Sequence, residues 1–426
     1  DTFPFESCPD EWDAPFRPKG VGEYFDWPLL TDLMPWQHSG VQVKRTWPIA
    51  SDTETLALRW KELLTATNKS VAFKESRDRT INKRVNSLSG AEKLCPLSEL
   101  EHDAPTPEVV AYGYRSFDRQ YLLLDPRVSD YLRPPLWQSY SAKQIYFAGL
   151  LTHPLSDGPA LSVTAAVPDL HYFRGSYGAK DILPLYRDAQ STIPNLHPAL
   201  LKHAAKAYDF QVTPEQIAAY LYAILANPQF TKKFKKELLT KELRIPFTAD
   251  AKLFLRAVEL GRKLIFLHTY GDRFSEGQKW PSSTVKNRKA ISSKTHPEHF
   301  DYDPEGEVLI VGDGEFSPVK AAVYNYEISG FNVVQSWLGY RLKKRKGKKS
   351  SPLDEIASSG WSAEYTTELL DLLNLLTQTI DIFSSNDSLL ADIVDGNQLL
   401  ASTFGAPPEW MRDAPVTSGS QPQLDL

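Results

Sequence analysis

The stretch "VTPEQIAAYLYAIL" (residues 212–225) constrains the fold more than any other, because it carries its own start signal and its own buried face. Thr213 can cap a helix, Pro214 suits the first helical position, and Gln216 stands where it can close a capping box. Ile217, Tyr220, Leu221 and Ile224 then share one apolar side. Asn227-Pro228 opens a second helix with Phe230 and Phe234 four residues apart. Thr248 opens a third, through "ADAKLFLRAVELGRKLIFLH". Three helices so close in sequence predict a small bundle over 195–274.

Strand texture lies on both sides of this bundle. "VVAYGYRSF" and "QYLLLD" are β-branched or aromatic runs parted by Asp118 and Arg119, which predicts strand–turn–strand. "SVTAAVPDL" (162–170), "EVLIVGDGEF" and "AAVYNYEISG" are further strand candidates. Near the end, "SAEYTTELLDLLNLLTQTIDIF" places Leu369, Leu372, Leu373, Leu376 and Ile380 on one helical stripe. The expected class is therefore α+β: a strand-rich region with an inserted helical bundle and a C-terminal amphipathic helix. Segments of different texture meet near residues 105, 194, 274 and 400, and 401–426 reads as a disordered tail. The first hundred residues, rich in Trp and Pro, read as irregular segments covering a neighbouring surface. One helix is expected there, near 51–65, with Leu56, Trp60 and Leu63 on one face.

Composition excludes several classes. The 42% hydrophobic and 12% aromatic content suits a globular chain. No run of about 18 apolar residues exists, so no membrane span is expected. The acidic opening "DTFPFESCPDEWD" does not resemble a signal peptide, and the lack of an initial Met reads as a processed or partial chain. Cys8 and Cys95 are the only cysteines, which leaves no disulfide framework and favours a reducing, cytoplasmic location. The formal charge is −5, yet twelve acids and only Arg412 follow residue 352, a net of −11, so the preceding residues carry +6. An acidic end hides a basic body.

Few enzyme motifs survive inspection. Gly312-Asp313-Gly314 follows an apolar run, but Pro318 and a second strand pattern follow it, so a hairpin turn explains it better than a nucleotide loop. His296 and His299 lack a third ligand at a telling spacing. No GxSxG elbow, P-loop or HExxH is present, and Pro168-Asp169 before Lys180 lacks the second carboxylate of a nuclease. What remains is cationic. Seven Lys or Arg fill the nine positions from Arg341 to Lys349: Arg341, Lys343, Lys344, Arg345, Lys346, Lys348 and Lys349. This run suits phosphate contact, although a solvated loop explains it as cheaply. "YGYRSFDRQY" carries Arg115 and Arg119, and "DLHYFRGSYGAKD" carries Arg174 and Lys180; these four are candidate base or groove contacts. The competing structural reading pairs Arg115 or Arg119 with Asp118 or Asp125, and lets Asp181 neutralise Lys180.

Taken together, "YFDWPLLTDLMPWQHSGVQVKRTWPI", "YGYRSFDRQYLLLDPR", "RPPLW", "PDLHYFRGSYGAKDILPLYRDA", "LGRKLIFLHTYGDRF" and "YEISGFNVVQSWLGYRLKKRKGKKSSPLDEI" resemble the C-terminal specificity region of Type ISP restriction–modification enzymes, the LlaBIII-like group. The resemblance spans roughly residues 20–400. It implies sequence-specific binding of double-stranded DNA, next to an adenine-N6 methyltransferase module that uses S-adenosylmethionine. It also implies that 1–105 packs on that module while the strands and the bundle form the reader: a strand-rich recognition region over 106–194, the bundle over 195–274, and a strand-turn region with the basic run and C-terminal helix over 275–400. The methyltransferase tetrapeptide, Asn- or Asp-Pro-Pro-aromatic, is missing: the Pro-Pro pairs occur only as Arg133-Pro-Pro-Leu136 and Ala406-Pro-Pro-Glu409. No cofactor and no catalysis are therefore expected in this chain alone. Two rival classes are a divergent adenine methyltransferase and a protein-interaction scaffold that binds no DNA.

Overall fold

Local signals and distant pairings share the work of building this chain. The computed structural model describes residues 22–292, 295–342, 350–357 and 360–415. In chain order its main elements are strand β1 (Ile49–Ala50), helix α1 (Thr53–Thr65), β2 (Val109–Arg115), β3 (Asp118–Leu123), β4 (Tyr146–Ala148), β5 (Ser162–Thr164), β6 (Val167–Pro168) and β7 (Ile182–Pro184). Then come α2 (Pro214–Leu225), α3 (Pro228–Lys233), α4 (Ala251–His268), β8 (Lys286–Lys289), β9 (Phe300–Asp303), β10 (Val308–Val311), β11 (Gly314–Ser317), α5 (Val333–Arg341) and α6 (Ala363–Ser385). The class is α+β, as expected.

Two of the bundle helices begin where their caps predict. Thr213 and Gln216 form a reciprocal capping box on α2, and Asn227 caps α3. The α4 helix starts two residues later than the sequence suggests, because the Asp250 carboxylate accepts the Lys252 and Leu253 amides. Backbones of α2 and α4 nearly touch: a Cβ at Gly261 would overlap the Ala219 carbonyl. No larger residue fits there without separating the helices.

The strands are shorter and more dispersed than their sequence runs. β2 and β3 form an antiparallel hairpin whose turn is Ser116-Phe117, so Asp118 and Arg119 lie in the strand and not in the turn. Phe117 takes a left-handed φ of 63° there. "SVTAAVPDL" divides: β5 joins a sheet of order β5-β4-β7, while β6 adds in parallel to β2 in a sheet of order β1-β3-β2-β6. A third sheet runs β8-β11-β10-β9, and Gly312-Asp313 is the two-residue loop between β10 and β11.

Three apolar cores draw on distant segments. One unites the helices α2 and α4 with Trp27, Leu30 and Phe147. A second joins the β2–β3 hairpin to the β8–β11 sheet and α6. A third surrounds Trp47 and Trp60 of the opening region. The tryptophans at 27, 36, 47 and 60 are thus buried in this chain's own interior, so the early Trp/Pro segments do not hold them out for a neighbour. Among the described residues no helix is long and apolar enough to cross a membrane.

A polar relay pins the helices together where α2, α4 and α6 meet. Thr379 donates its hydroxyl to the Leu375 carbonyl, which leaves its oxygen to accept from His268 Nε2 at 2.8 Å. His268 Nδ1 then accepts from the Tyr222 hydroxyl at 2.6 Å. Only neutral imidazole fits this arrangement, and burial pushes the His268 pKa down to about 3. The unfolded chain gains a proton near its ordinary value of about 6.5 while the folded one does not. Stability is therefore complete above that pH and falls below it, by up to about 1.4 kcal/mol per pH unit from this group. Urea midpoints between about pH 7 and 4.5 should fall more steeply for the wild type than for His268→Gln. Parallel slopes would remove His268 as the cause.

Candidate nucleic-acid interface

Residues 169–181, "DLHYFRGSYGAKD", form a loop whose neck is tied at several points. Asp169 lies at its base: Oδ1 accepts from Arg115 Nη1 at 2.7 Å and from the His171 amide at 2.8 Å. Oδ2 accepts from the Tyr112 hydroxyl at 2.7 Å. Tyr172 and Phe173 point inward and are buried; the Tyr172 hydroxyl donates to the Val163 carbonyl, and Ser116 donates to the Phe173 carbonyl. The Gly178 amide donates to His171 Nδ1 at 3.3 Å, and a Cβ on Gly178 would overlap the Leu170 carbonyl. Glycine is therefore required where the two sides of the loop meet.

The aromatic anchors leave the polar residues outside. Tyr177 is 57% exposed and takes a left-handed φ of 61°, an uncommon conformation for a bulky residue that turns the ring to the surface. The Arg174 guanidinium lies 5.1 Å from its ring centroid, and His153 packs 5.1 Å away on the same ring. Lys180 is exposed. Asp181 does not neutralise it: Asp181 is buried, with its oxygens accepting from the Leu151 and Ala179 amides. Burial raises the Asp181 pKa, and these two amides oppose that shift. Among the described residues neither Arg174 nor Lys180 pairs with a carboxylate, so both keep their donors for a ligand.

A basic strip continues from this loop. Backbone pairing of His38 with Ile182 brings the 36–44 segment alongside. Burial depresses the His38 pKa, and the charges of Arg133 and Lys180 push the same way. Arg133 donates to the Gly40 carbonyl and lies 5.0 Å from the half-exposed Tyr131 ring. Lys44 sits 5.5 Å from that ring. Lys44 and Arg77 both bond Asp78, which holds its carboxyl down at about 2. Arginine and lysine interleaved with exposed tyrosines can grip phosphates and stack on sugar or base.

The other predicted cations divide sharply. Arg115 is spent inside: burial opposes its charge most strongly, but Asp169 together with the surrounding tyrosines outweighs it and raises its pKa, and its guanidinium stacks 4.0 Å from Tyr114. Its partner is neither Asp118 nor Asp125, and it supports the loop from below. Arg119 is exposed on β3, 3.8 Å over the Tyr270 ring. Arg341 is buried, bonded to Asp118 at 2.9 Å and Glu368 at 3.1 Å, so it faces the core and not a phosphate. Lys343, Lys344, Arg345, Lys346, Lys348 and Lys349 lie outside the described residues. His296 places Nδ1 3.1 Å from the Arg341 carbonyl. Sequence reasoning passed over His38, Lys44, Arg133 and Tyr177. Lys44 and Arg133 both take left-handed backbone, and nothing in their neighbouring residues announces it.

No curated protein matches the chain. Similar solved structures include the DrdV–DNA complex (TM-score 0.59, 17% identity, 85% of this chain and 38% of that one). The ATP-dependent Type ISP restriction–modification enzyme LlaBIII bound to DNA is also similar (TM-score 0.58, 14% identity, 86% of this chain and 24% of that one). So is a nuclease-deletion mutant of the Type ISP enzyme LlaGI in complex with a DNA substrate mimic (0.54, 15%, 86% and 29%). At these identities the likeness is one of fold, and the chain spans well under half of each relative. The family described as the Type ISP C-terminal specificity domain matches residues 32–372, and this chain belongs to that family.

Proposed function

We propose that this chain reads a short site on double-stranded DNA, as the target recognition part of a restriction–modification enzyme. The observation that carries the reading is the tied 169–181 loop, which presents Arg174 and Lys180 outward without carboxylate partners beside an exposed tyrosine. An arginine held in this way can fork onto a guanine edge, while the basic strip around Tyr131 holds phosphates and sets the register. The family and the three DNA-bound relatives support this choice of ligand. In this reading the chain performs no chemistry. It presents a target adenine to a methyltransferase module, which binds S-adenosylmethionine and attacks the base after it leaves the stack.

Selection from a randomised duplex library on the immobilised chain should enrich one short motif. Arg174→Ala should relax a single position of that motif by about 1–3 kcal/mol and leave binding to unrelated duplex nearly unchanged. A library recovered without enrichment would remove the reading. Uniform weakening on all sequences would make Arg174 a phosphate contact only.

A further inference from the structure

"TKKFKK" at 231–236 places four lysines in five positions around one phenylalanine. Phe230, Phe234 and Leu238 are buried in the bundle core, and Phe234 packs against Tyr24 and Trp27. The four-residue spacing of these anchors turns Lys232, Lys233, Lys235 and Lys236 outward together, and all four are exposed. Their carboxylate partners are few and distant: Lys235 reaches Asp157 at 3.6 Å and Lys233 reaches Asp395 at 3.9 Å, both at the surface. Among the described residues Lys232 and Lys236 have no ion pair. The helix dipole favours Lys232 and Lys233 in the last turn of α3, but Lys235 and Lys236 lie beyond it. Like charges at three- and four-residue spacing repel, so a bound polyanion would relieve the arrangement.

Position connects this cluster to the reading loop. Asp157, which meets Lys235, belongs to the same surface segment as His153, which packs on Tyr177. Four residues separate them, so their Cα atoms are at most about 14 Å apart. That is well within one turn of duplex, about 34 Å. Leu151 ties the same segment to Asp181 at the loop's end.

We propose that Lys232, Lys233, Lys235 and Lys236 form a sequence-independent phosphate clamp on the duplex flanking the site read by the 169–181 loop. The proposal rests on the DNA reading above and adds a second contact region on the helical bundle. The test uses the full chain, a mixed-sequence duplex of about 40 base pairs, and anisotropy titrations over a range of salt. The variant replacing all four lysines with Gln should flatten the slope of log K against log salt by about 3–4 and leave the library motif unchanged. The corresponding Lys→Arg variant should restore the slope, which separates lost charge from misfolding. A Gln variant with the wild-type slope overturns the clamp while leaving the DNA reading intact. A wild type that binds no duplex at any salt overturns both. Loss of binding to phosphatidylserine vesicles with an unchanged DNA slope would assign the lysines to a membrane surface and overturn the clamp.

Discussion

Replacing Arg341 with Gln is expected to lower stability by about 3–5 kcal/mol, the range found when one partner of a buried ion pair is removed. The residue opens the basic run, yet its side chain is only 2% exposed. Its Nη2 bonds Asp118, itself 2% exposed, and also Glu368, which is partly open to solvent. The guanidinium plane lies 3.8 Å from the Trp337 ring centroid, and Asp118 accepts a further bond from Gln120. Burial opposes the Arg341 charge, but the two carboxylates together hold its pKa above the ordinary value. Without the cation, two acids face each other at the junction of β3 and α6. The urea midpoint should fall sharply, while the folded fraction should bind duplex with the wild-type salt slope. Arg341→Lys should recover only part, because an ammonium can bridge two carboxylates but lacks the flat guanidinium face that stacks on the Trp337 indole. A variant with an intact midpoint and a flatter salt slope would return Arg341 to phosphate binding.

Asp169→Ala should produce the second large effect, and it should separate reading from gripping. The change removes the partner of Arg115 at a site where both side chains are nearly buried. It also releases the Tyr112 hydroxyl and the His171 amide. A cost of about 3–5 kcal/mol follows from the stranded guanidinium. Asp169 is a positioning residue for the loop, so a second readout is needed. Amides from His171 to Gly178 should exchange faster, and discrimination between the selected motif and mixed sequence should fall. Affinity for mixed-sequence duplex should change little, because the strip around Tyr131 and the four lysines at and just after the end of α3 are untouched. Asp169→Asn, which keeps an acceptor, should restore part of the loop protection. Unchanged exchange at the loop with lowered global stability would reduce Asp169 to a purely structural pair.

Much of the scaffold was legible because its signals are local. The capping box of α2, the Asn-Pro start of α3 and the leucine stripe of α6 are each written within a few residues, and each forms where expected. The β10–β11 turn is equally local. The early tryptophans were harder. A Trp/Pro cluster looks the same whether it covers another module or fills its own chain's core. Here Trp36 and Trp47 are fully buried by partners hundreds of residues away or in other elements. "SVTAAVPDL" misled for a similar reason: continuous strand propensity does not say that the chain changes sheets in the middle.

The candidate interface shows where local reading ends. By itself the sequence determined the starts of α2 and α3, the existence of the β2–β3 hairpin though not its turn, the α+β class and the set of arginines and lysines worth testing. It also carried the long segments on which membership of the specificity-domain family rests. Tertiary structure alone decided which of those cations are free. Arg115 finds its acid 54 residues away and Arg341 finds one 223 residues away, whereas Asp181, beside Lys180 in sequence, gives its oxygens to backbone amides instead. A cation is open to a ligand where the fold leaves it at the surface, unpaired or in an exposed pair that a ligand can exchange, and not where it is buried against an acid. Burial and pairing are set by distant contacts, so neighbouring residues cannot encode them.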